Sequence, residues 1–261
     1  MGIFELYGIA FLVVLVAVSV LWAISVPLKD ASIIDMFWGP LFVAIAWVLL
    51  PATGMLAVKP YLITLLVTLW GLRLGFHLIT RNAGQGEDRR YQLWREHGGE
   101  DWWLKSYYRV YLLQGGIALA VATPIIAAFY RPHELNFLNF LGVLVWAAGF
   151  IYELQADVQL SQFKSQPENR GRVLDQGLWA RSRHPNYFGD ALQWWGLGLV
   201  AVSFATWWAL LGPVVMTAVF LGLSNDVLER GMKKRHPEYE RYITNTPKFF
   251  PRLSRSQGVR T

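Results

Sequence analysis

Segments of about 20 mostly apolar residues recur along this chain, near 8–27, 33–57, 61–79, 110–130, 136–157, 188–204 and 206–223. A helix of that length crosses a bilayer core about 30 Å thick, and in lipid only helices or closed barrels satisfy their own backbone groups. The pattern predicts an all-α, polytopic membrane protein of about seven transmembrane helices. Gly189, Gly196, Gly198, Ser203 and the pair Trp207 and Trp208 blur the break between the last two segments, so six spans with a re-entrant hairpin is the alternative. Composition agrees: 54% of residues are hydrophobic and 16% charged, against about 25% charged in a soluble domain. The first segment follows Met1-Gly2-Ile3-Phe4-Glu5, with neither a positive flank nor a small-residue cleavage site, and is expected to stay as a helix.

The basic residues orient the bundle. Of the 24 Lys and Arg, only Lys59 and Arg131 would lie on one side and Arg73 within a span, while all the others fall on the opposite side. By the positive-inside rule that side is cytoplasmic. The N-terminus is then outside and the C-terminus cytoplasmic, with loops of about 80–109 and 158–187 and the tail 224–261 on the cytoplasmic face. This accounts for the net charge of +6 without nucleic acid. With no internal repeat or low-complexity tract, one transmembrane domain over 1–261 is expected. The absence of cysteine excludes disulfides, thiolate nucleophiles, iron–sulfur sites and cysteine zinc sites. No glycine-rich dinucleotide or P-loop motif, no H-E-x-x-H or histidine cluster and no G-x-S-x-G occurs, so no metal is expected and any cofactor is held by helices and loops.

Ionisable groups inside spans cost several kcal/mol unless they meet a partner or a wet cavity, which makes each a candidate. Ser32, Asp35 and Trp38 recur at a spacing of three; the plain alternative is that Ser32 and Asp35 cap a helix. Arg73, His77 and Arg81 form a cationic stripe descending into the bilayer, where long side chains can also snorkel. Glu153, Asp157 and Lys164 share a helix face. Asn225 and Glu229 share a face beyond the last span, with Asp226 and Arg230 on the next. The densest cluster is Gly177-Leu178-Trp179-Ala180-Arg181-Ser182-Arg183-His184-Pro185-Asn186-Tyr187-Phe188-Gly189-Asp190. Its two arginines precede a helix start, and Lys164, Arg170 and Arg172 stand before it, a combination suited to an anionic ligand such as a phosphate or to anionic lipid headgroups.

These residues resemble a known family. The stretch from Glu153 to Asp190, with Phe163-Lys164 and Ser182-Arg183-His184-Pro185-Asn186-Tyr187-Phe188-Gly189, is similar to the C-terminal half of the steroid 5α-reductase superfamily, most of all to its uncharacterised bacterial branch. The tail Glu238-Tyr239-Glu240-Arg241-Tyr242 through Thr246-Pro247-Lys248-Phe249-Phe250-Pro251 fits too, and a weaker likeness covers Ser32 to Gly39 and Arg73 to Tyr91. Isoprenylcysteine carboxyl methyltransferases share the R-H-P-x-Y-x-G core. The resemblance implies seven helices, NADPH bound from the cytoplasmic side, and reduction of a carbon–carbon double bond conjugated to a ketone in a lipophilic, steroid-like or other lipidic substrate. It further implies a bacterial inner membrane as the location, with membrane lipids and substrate as partners and no obligate protein partner. Asp157, Lys164, Arg172, Asn186 and Asp190 match positions that contact NADPH, with Arg73, Arg81, Glu153, Arg183, His184, Tyr187, Asn225 and Glu229 as further contacts. Where the steroid enzymes have a glutamate and a tyrosine, this chain has Asp35 and, near the expected tyrosine, Trp70. An indole donates one hydrogen bond but supplies no proton at neutral pH, so Asp35, Trp70 and His77 are the catalytic candidates, with Tyr107 and Tyr108 as other donors. The competing expectations are an S-adenosylmethionine-dependent membrane methyltransferase, whose cofactor carries no phosphate to meet the basic loop, and a non-enzymatic carrier or lipid-binding protein.

Overall fold

The computed structural model of the chain describes residues 1–54, 56–82, 84–132, 134–223, 229, 231–233 and 238–252. Among these residues every regular element is a helix, so the fold class is all-α. Four helical runs are long and apolar enough to cross a membrane: Ile3–Leu28, Val58–Asn82, Phe137–Ser165 and Phe204–Gly222. A fifth crossing arises if the bent pair Trp102–Val121 and Thr123–Tyr130 is one span.

Two of the seven apolar sequence segments give helices shorter than a full crossing. The segment 33–57 breaks at Phe37 into α2 (Ile33–Met36) and α3 (Trp38–Thr53), the latter 16 residues long, after α1 (Ile3–Leu28). Pro40 has no N–H to offer the Met36 carbonyl, which ends the α2 ladder there. Further along come α4 (Val58–Asn82), α5 (Arg89–Gly98), α6 (Trp102–Ser106), a π-helical turn Tyr107–Leu112, α7 (Leu113–Val121), α8 (Thr123–Tyr130), α9 (Phe137–Ser165), α10 (Pro185–Ala201) and α11 (Leu211–Leu223). The segment 188–204 gives α10, 17 residues long, which stops where Ser203 turns extended (φ −153°, ψ 177°) before the 3-10 run Phe204–Leu210.

The chain divides into two compact units, Met1–Asn139 with Leu197–Gly212, and Phe140–Gly196 with Pro213–Thr261. In the first, α1 buries a stripe of Leu6, Ala10, Val14, Val18, Leu21 and Ser25 while Phe11, Leu12, Val16, Val20 and Ile24 stay exposed. Such an apolar exposed face suits contact with lipid. Helices α3 and α4 meet backbone to backbone. Gly71 and Gly75 form the small-x-x-x-small pattern that lets helices approach closely. A methyl on Gly71 would fall 2.6 Å from the Gly39 carbonyl oxygen, and one on Gly75 would fall 2.9 Å from Pro40. The 47° bend before α8 sits at Pro124, which again removes a ladder donor. Thr123 secures it: its hydroxyl donates to the Ala209 carbonyl at 3.2 Å and accepts the Gly212 N–H at 2.7 Å.

In the second unit the same device joins α9 to α10. A methyl on Gly149 would lie 2.6 Å from the Gly189 oxygen, and one on Gly189 would lie 2.6 Å from the Glu153 nitrogen. The contact brings Gln193 onto Glu153. The segment after the helix Tyr239–Asn245 is strapped to the loop before α10 through its backbone. The Arg183 N–H donates to the Pro247 carbonyl at 2.9 Å and the Arg252 N–H to the Arg181 carbonyl at 3.0 Å. Phe249 and Phe250 pack edge-on against Phe188.

Candidate functional site

In the first unit the candidates gather around Asp35. Its Oδ1 accepts the Tyr91 hydroxyl at 2.7 Å and Gln114 Nε2 at 3.3 Å, and its Oδ2 accepts Arg90 Nη2 at 2.9 Å. Gln114 Nε2 also donates to the Tyr91 oxygen at 3.0 Å, and Trp38 Nε1 donates to Gln114 Oε1 at 2.6 Å. Three elements converge on one carboxylate: α2, the loop helix α5 and α7. The two Asp35 oxygens thus receive three hydrogen bonds, and Ser32 stands at the N-cap of α2 without a side-chain capping bond. Ser32 instead donates to Asp30 and accepts the Asp88 N–H at 3.2 Å.

Helix α5 holds its two ligands by a chain of local bonds. Asp88 caps it, accepting the Arg90 N–H at 2.9 Å, and meets Arg90 Nε at 3.0 Å. Burial raises the Asp88 carboxyl, but the hydrogen bonds and charge of Arg90 outweigh it and hold the group below the usual range. Burial and the neighbouring Asp35 push the Tyr91 phenol well up, so it stays protonated at neutral pH. Glu87 completes the connection, taking the Ala31 N–H at 2.7 Å and two bonds from Arg95 at 2.8 and 3.0 Å.

The other candidates of this unit sit differently. Trp70 is a core side chain, 1% exposed and tilted against Phe42 at 5.7 Å. Arg73 and His77 are half-buried on α4, and Arg81 is exposed at its end with Nε donating to Asn82 Oδ1 at 3.3 Å. The structure does not bring Trp70 or His77 into the hydrogen bonds around Asp35.

In the second unit, Glu153, Asp157 and Asp190 are buried. The repulsion expected of two carboxylates one turn apart is relieved by neutral amides: Gln193 Nε2 donates to Glu153 Oε2 at 2.7 Å and Asn186 Nδ2 to Asp157 Oδ1 at 3.3 Å. Arg183 has a structural task. Its Nε donates to Glu229 Oε1 at 2.9 Å and its Nη1 to the Ile243 and Thr246 carbonyls, both at 3.0 Å. This guanidinium anchors the C-terminal segment. His184 Nε2 lies 3.5 Å from the same Glu229 oxygen, and its ring stacks on Tyr187 at 5.4 Å, which stacks on Phe220 at 4.9 Å. Burial pushes the His184 imidazole down to about 4, against the opposing pull of Glu229, so the ring is neutral at pH 7. Lys164, Arg170, Arg172 and Arg181 are exposed. Gln159, Gly177, Leu178, Ala180 and Arg181 line an open cleft of about 410 Å³. Gly177 has φ +59°, and a methyl there would meet Gln159 Oε1, which accepts the Leu178 N–H at 2.9 Å. Asn225, with Asp226 and Arg230, lies outside the described residues.

Arg90, Tyr91, Gln114 and Gln193 were not singled out from the sequence. Gln114 is polar within an apolar segment and carried the same signal as Arg73. Arg90 and Tyr91 sat in a charge-dense loop where nothing distinguished them. Among the described residues no cluster of three potential metal ligands occurs.

A fission-yeast protein, uncharacterised, from Schizosaccharomyces pombe is 24% identical over 267 residues, covering 91% of this chain and 77% of its own length. The family model described as "Protein of unknown function (DUF1295)" matches residues 21–246, and the chain belongs to that family.

Proposed function

We propose that this protein is a membrane-embedded, NADPH-dependent reductase of a carbon–carbon double bond conjugated to a ketone in a lipophilic substrate. The observation that carries this reading is the hydrogen bond from the Tyr91 hydroxyl to Asp35 at 2.7 Å. Reduction of an enone places negative charge on the ketone oxygen in the transition state, and a fixed donor aimed at that oxygen lowers the barrier. Tyr91 is such a donor. Its phenol is neutral, and Gln114 and Asp35 fix its direction. In turnover the ketone oxygen takes the place of Asp35 as acceptor, and Arg90 keeps the Asp35 charge balanced.

The second unit supports the cofactor assignment. The exposed cations Lys164, Arg170, Arg172 and Arg181 suit the phosphates of a nucleotide, and the half-buried Asn186 and the buried Asp157 suit its amide or ribose hydroxyls. When bound, NADPH would supply the hydride to the β carbon, and the proton that completes reduction at the α carbon would come from solvent. S-adenosylmethionine carries no phosphate for these cations to meet.

The short α3 and α10 are read as two further crossings, giving seven spans with the N-terminus outside and the C-terminus cytoplasmic, in a bacterial inner membrane. The test uses the full chain in mild detergent. Thermal shift with NADPH, NADH and S-adenosylmethionine is followed by NADPH oxidation with lipidic enones. Stabilisation by NADPH with enone-dependent oxidation is expected. Stabilisation by S-adenosylmethionine alone would move the protein to the methyltransferases, and silence toward all three would favour a carrier.

A further inference from the structure

The first unit carries an aromatic cluster that the reductase reading does not use. Trp22 on α1 stacks on Trp103 at 6.2 Å and packs on Tyr107 at 4.8 Å, and its Nε1 donates to the Trp103 carbonyl at 2.8 Å. The Tyr107 hydroxyl lies 2.9 Å from Ser19 Oγ, and Tyr108 packs edge-on against Tyr107 at 5.5 Å. The rings are pinned on their inner side and bare on the outer, with Trp103 50% and Tyr108 58% exposed. Leu104 and Leu113 are exposed beside them, as are Lys29 and Arg109.

Water disfavours so much contiguous aromatic and aliphatic surface. The acyl interior disfavours indole N–H, phenol and cationic groups. Only the boundary between the two accommodates all of them. The cluster also stands at the end of apolar exposed faces. On α1 the exposed Leu12, Val16 and Val20 lead up to it, and on the other side the π-helical turn runs into the bent apolar pair at Leu113. Glu100 and Asp101, exposed just before α6, mark the water side.

We propose that Trp22, Trp103, Tyr107 and Tyr108 seat this unit in the headgroup layer of a phospholipid leaflet, with Lys29 and Arg109 meeting lipid phosphates and α6 lying at the membrane surface. The described part of this loop, 84–106, is then a surface-bound element. Gln114 is six residues beyond Tyr108, an axial rise of about 9 Å at most, so the hydrogen bonds around Asp35 sit just beneath the headgroups.

The chain has no cysteine, so a single introduced thiol takes a nitroxide label without background. Leu12→Cys, Leu113→Cys, Leu104→Cys, Tyr108→Cys and Glu100→Cys are placed one at a time in nanodiscs of mixed phosphatidylcholine and phosphatidylglycerol. Collision of the label with oxygen and with a nickel chelate is then measured. The expected order of oxygen preference is Leu12 highest, then Leu113, with Leu104 and Tyr108 at headgroup values and Glu100 in water. Labels at Leu104 and Tyr108 that match Glu100 would overturn the proposal. So would dipolar broadening in either single-label sample, because a second labelled copy of the chain and not lipid would then cover the rings. Leu104→Cys leaves every ring in place, so its result stands even if Tyr108→Cys perturbs the packing.

Discussion

Tyr91 and Asp35 are 56 residues apart in sequence and joined by a 2.7 Å hydrogen bond that ties a loop helix to the short helix that opens the second apolar segment. Arg90, the preceding residue, adds a 2.9 Å ion pair to the other oxygen of the same carboxylate. Two adjacent residues of α5 thus grip one side chain, and any opening of α5 breaks both contacts at once.

Tyr91→Phe removes the donor and leaves the Asp35–Arg90 pair in place. In the reductase reading, kcat for an enone falls by about a hundredfold, the usual cost of one transition-state donor, while the affinity for NADPH measured by thermal shift is unchanged. Asp35→Asn leaves the tyrosine without its charged acceptor and lowers turnover more than cofactor affinity. A Tyr91→Phe enzyme with full kcat would show that the hydroxyl serves only to hold α5 down.

In the reductase reading, Lys164→Ala and Arg172→Ala are each expected to weaken NADPH by about tenfold, or about 1.4 kcal/mol, and NADH less. Both side chains are exposed, and isothermal titration with the two dinucleotides compares the variants directly. Equal losses for NADPH and NADH would remove the 2′-phosphate from this loop.

The helices and the carboxylates buried in α9 were legible because lipid imposes a simple rule: long apolar runs fold as helices, and each polar exception needs a partner. Glu153 and Asp157 stood out by that rule, and the structure supplies their partners as amides on α10. The breaks were less legible. Pro40 and Pro124 each sit where a ladder donor is missing, yet a proline in an apolar run does not reveal whether the helix bends or stops. Arg183 was only half legible for a different reason. Its place beside a helix start suggested a phosphate, whereas its partners Glu229, Ile243 and Thr246 come from a part of the chain that no local pattern links to it.

Arg183→Lys tests that anchoring role. A lysine offers one point charge where the guanidinium fork reaches Glu229 and two carbonyls at once. The Arg183 side chain is 9% exposed and Glu229 11%, so losing the fork leaves a buried carboxylate poorly matched, at a cost of about 3 kcal/mol. Limited proteolysis of the detergent-solubilised chain is expected to release the segment beyond Glu229 faster in the variant, before the helices are cut. Cleavage at the wild-type rate would mean that the backbone strap at Pro247 and Arg252 suffices alone.

Acid sensitivity follows from His184. Its imidazole titrates near 4 in the fold and near 6.5 in an unfolded chain, so between these values the unfolded state binds the extra proton. Stability is complete above about pH 6.5, declines as pH falls, and levels off below about 4, with a total loss on the order of 3 kcal/mol. Buried carboxylates also respond to acid, so the informative quantity is the difference in Tm between wild type and His184→Gln across pH 4 to 7. The glutamine variant keeps a polar group near Glu229 but cannot titrate, and its Tm should fall less steeply over that window. Parallel curves would place the acid response on other groups and would mean that His184 accepts its proton without disturbing the stack on Tyr187.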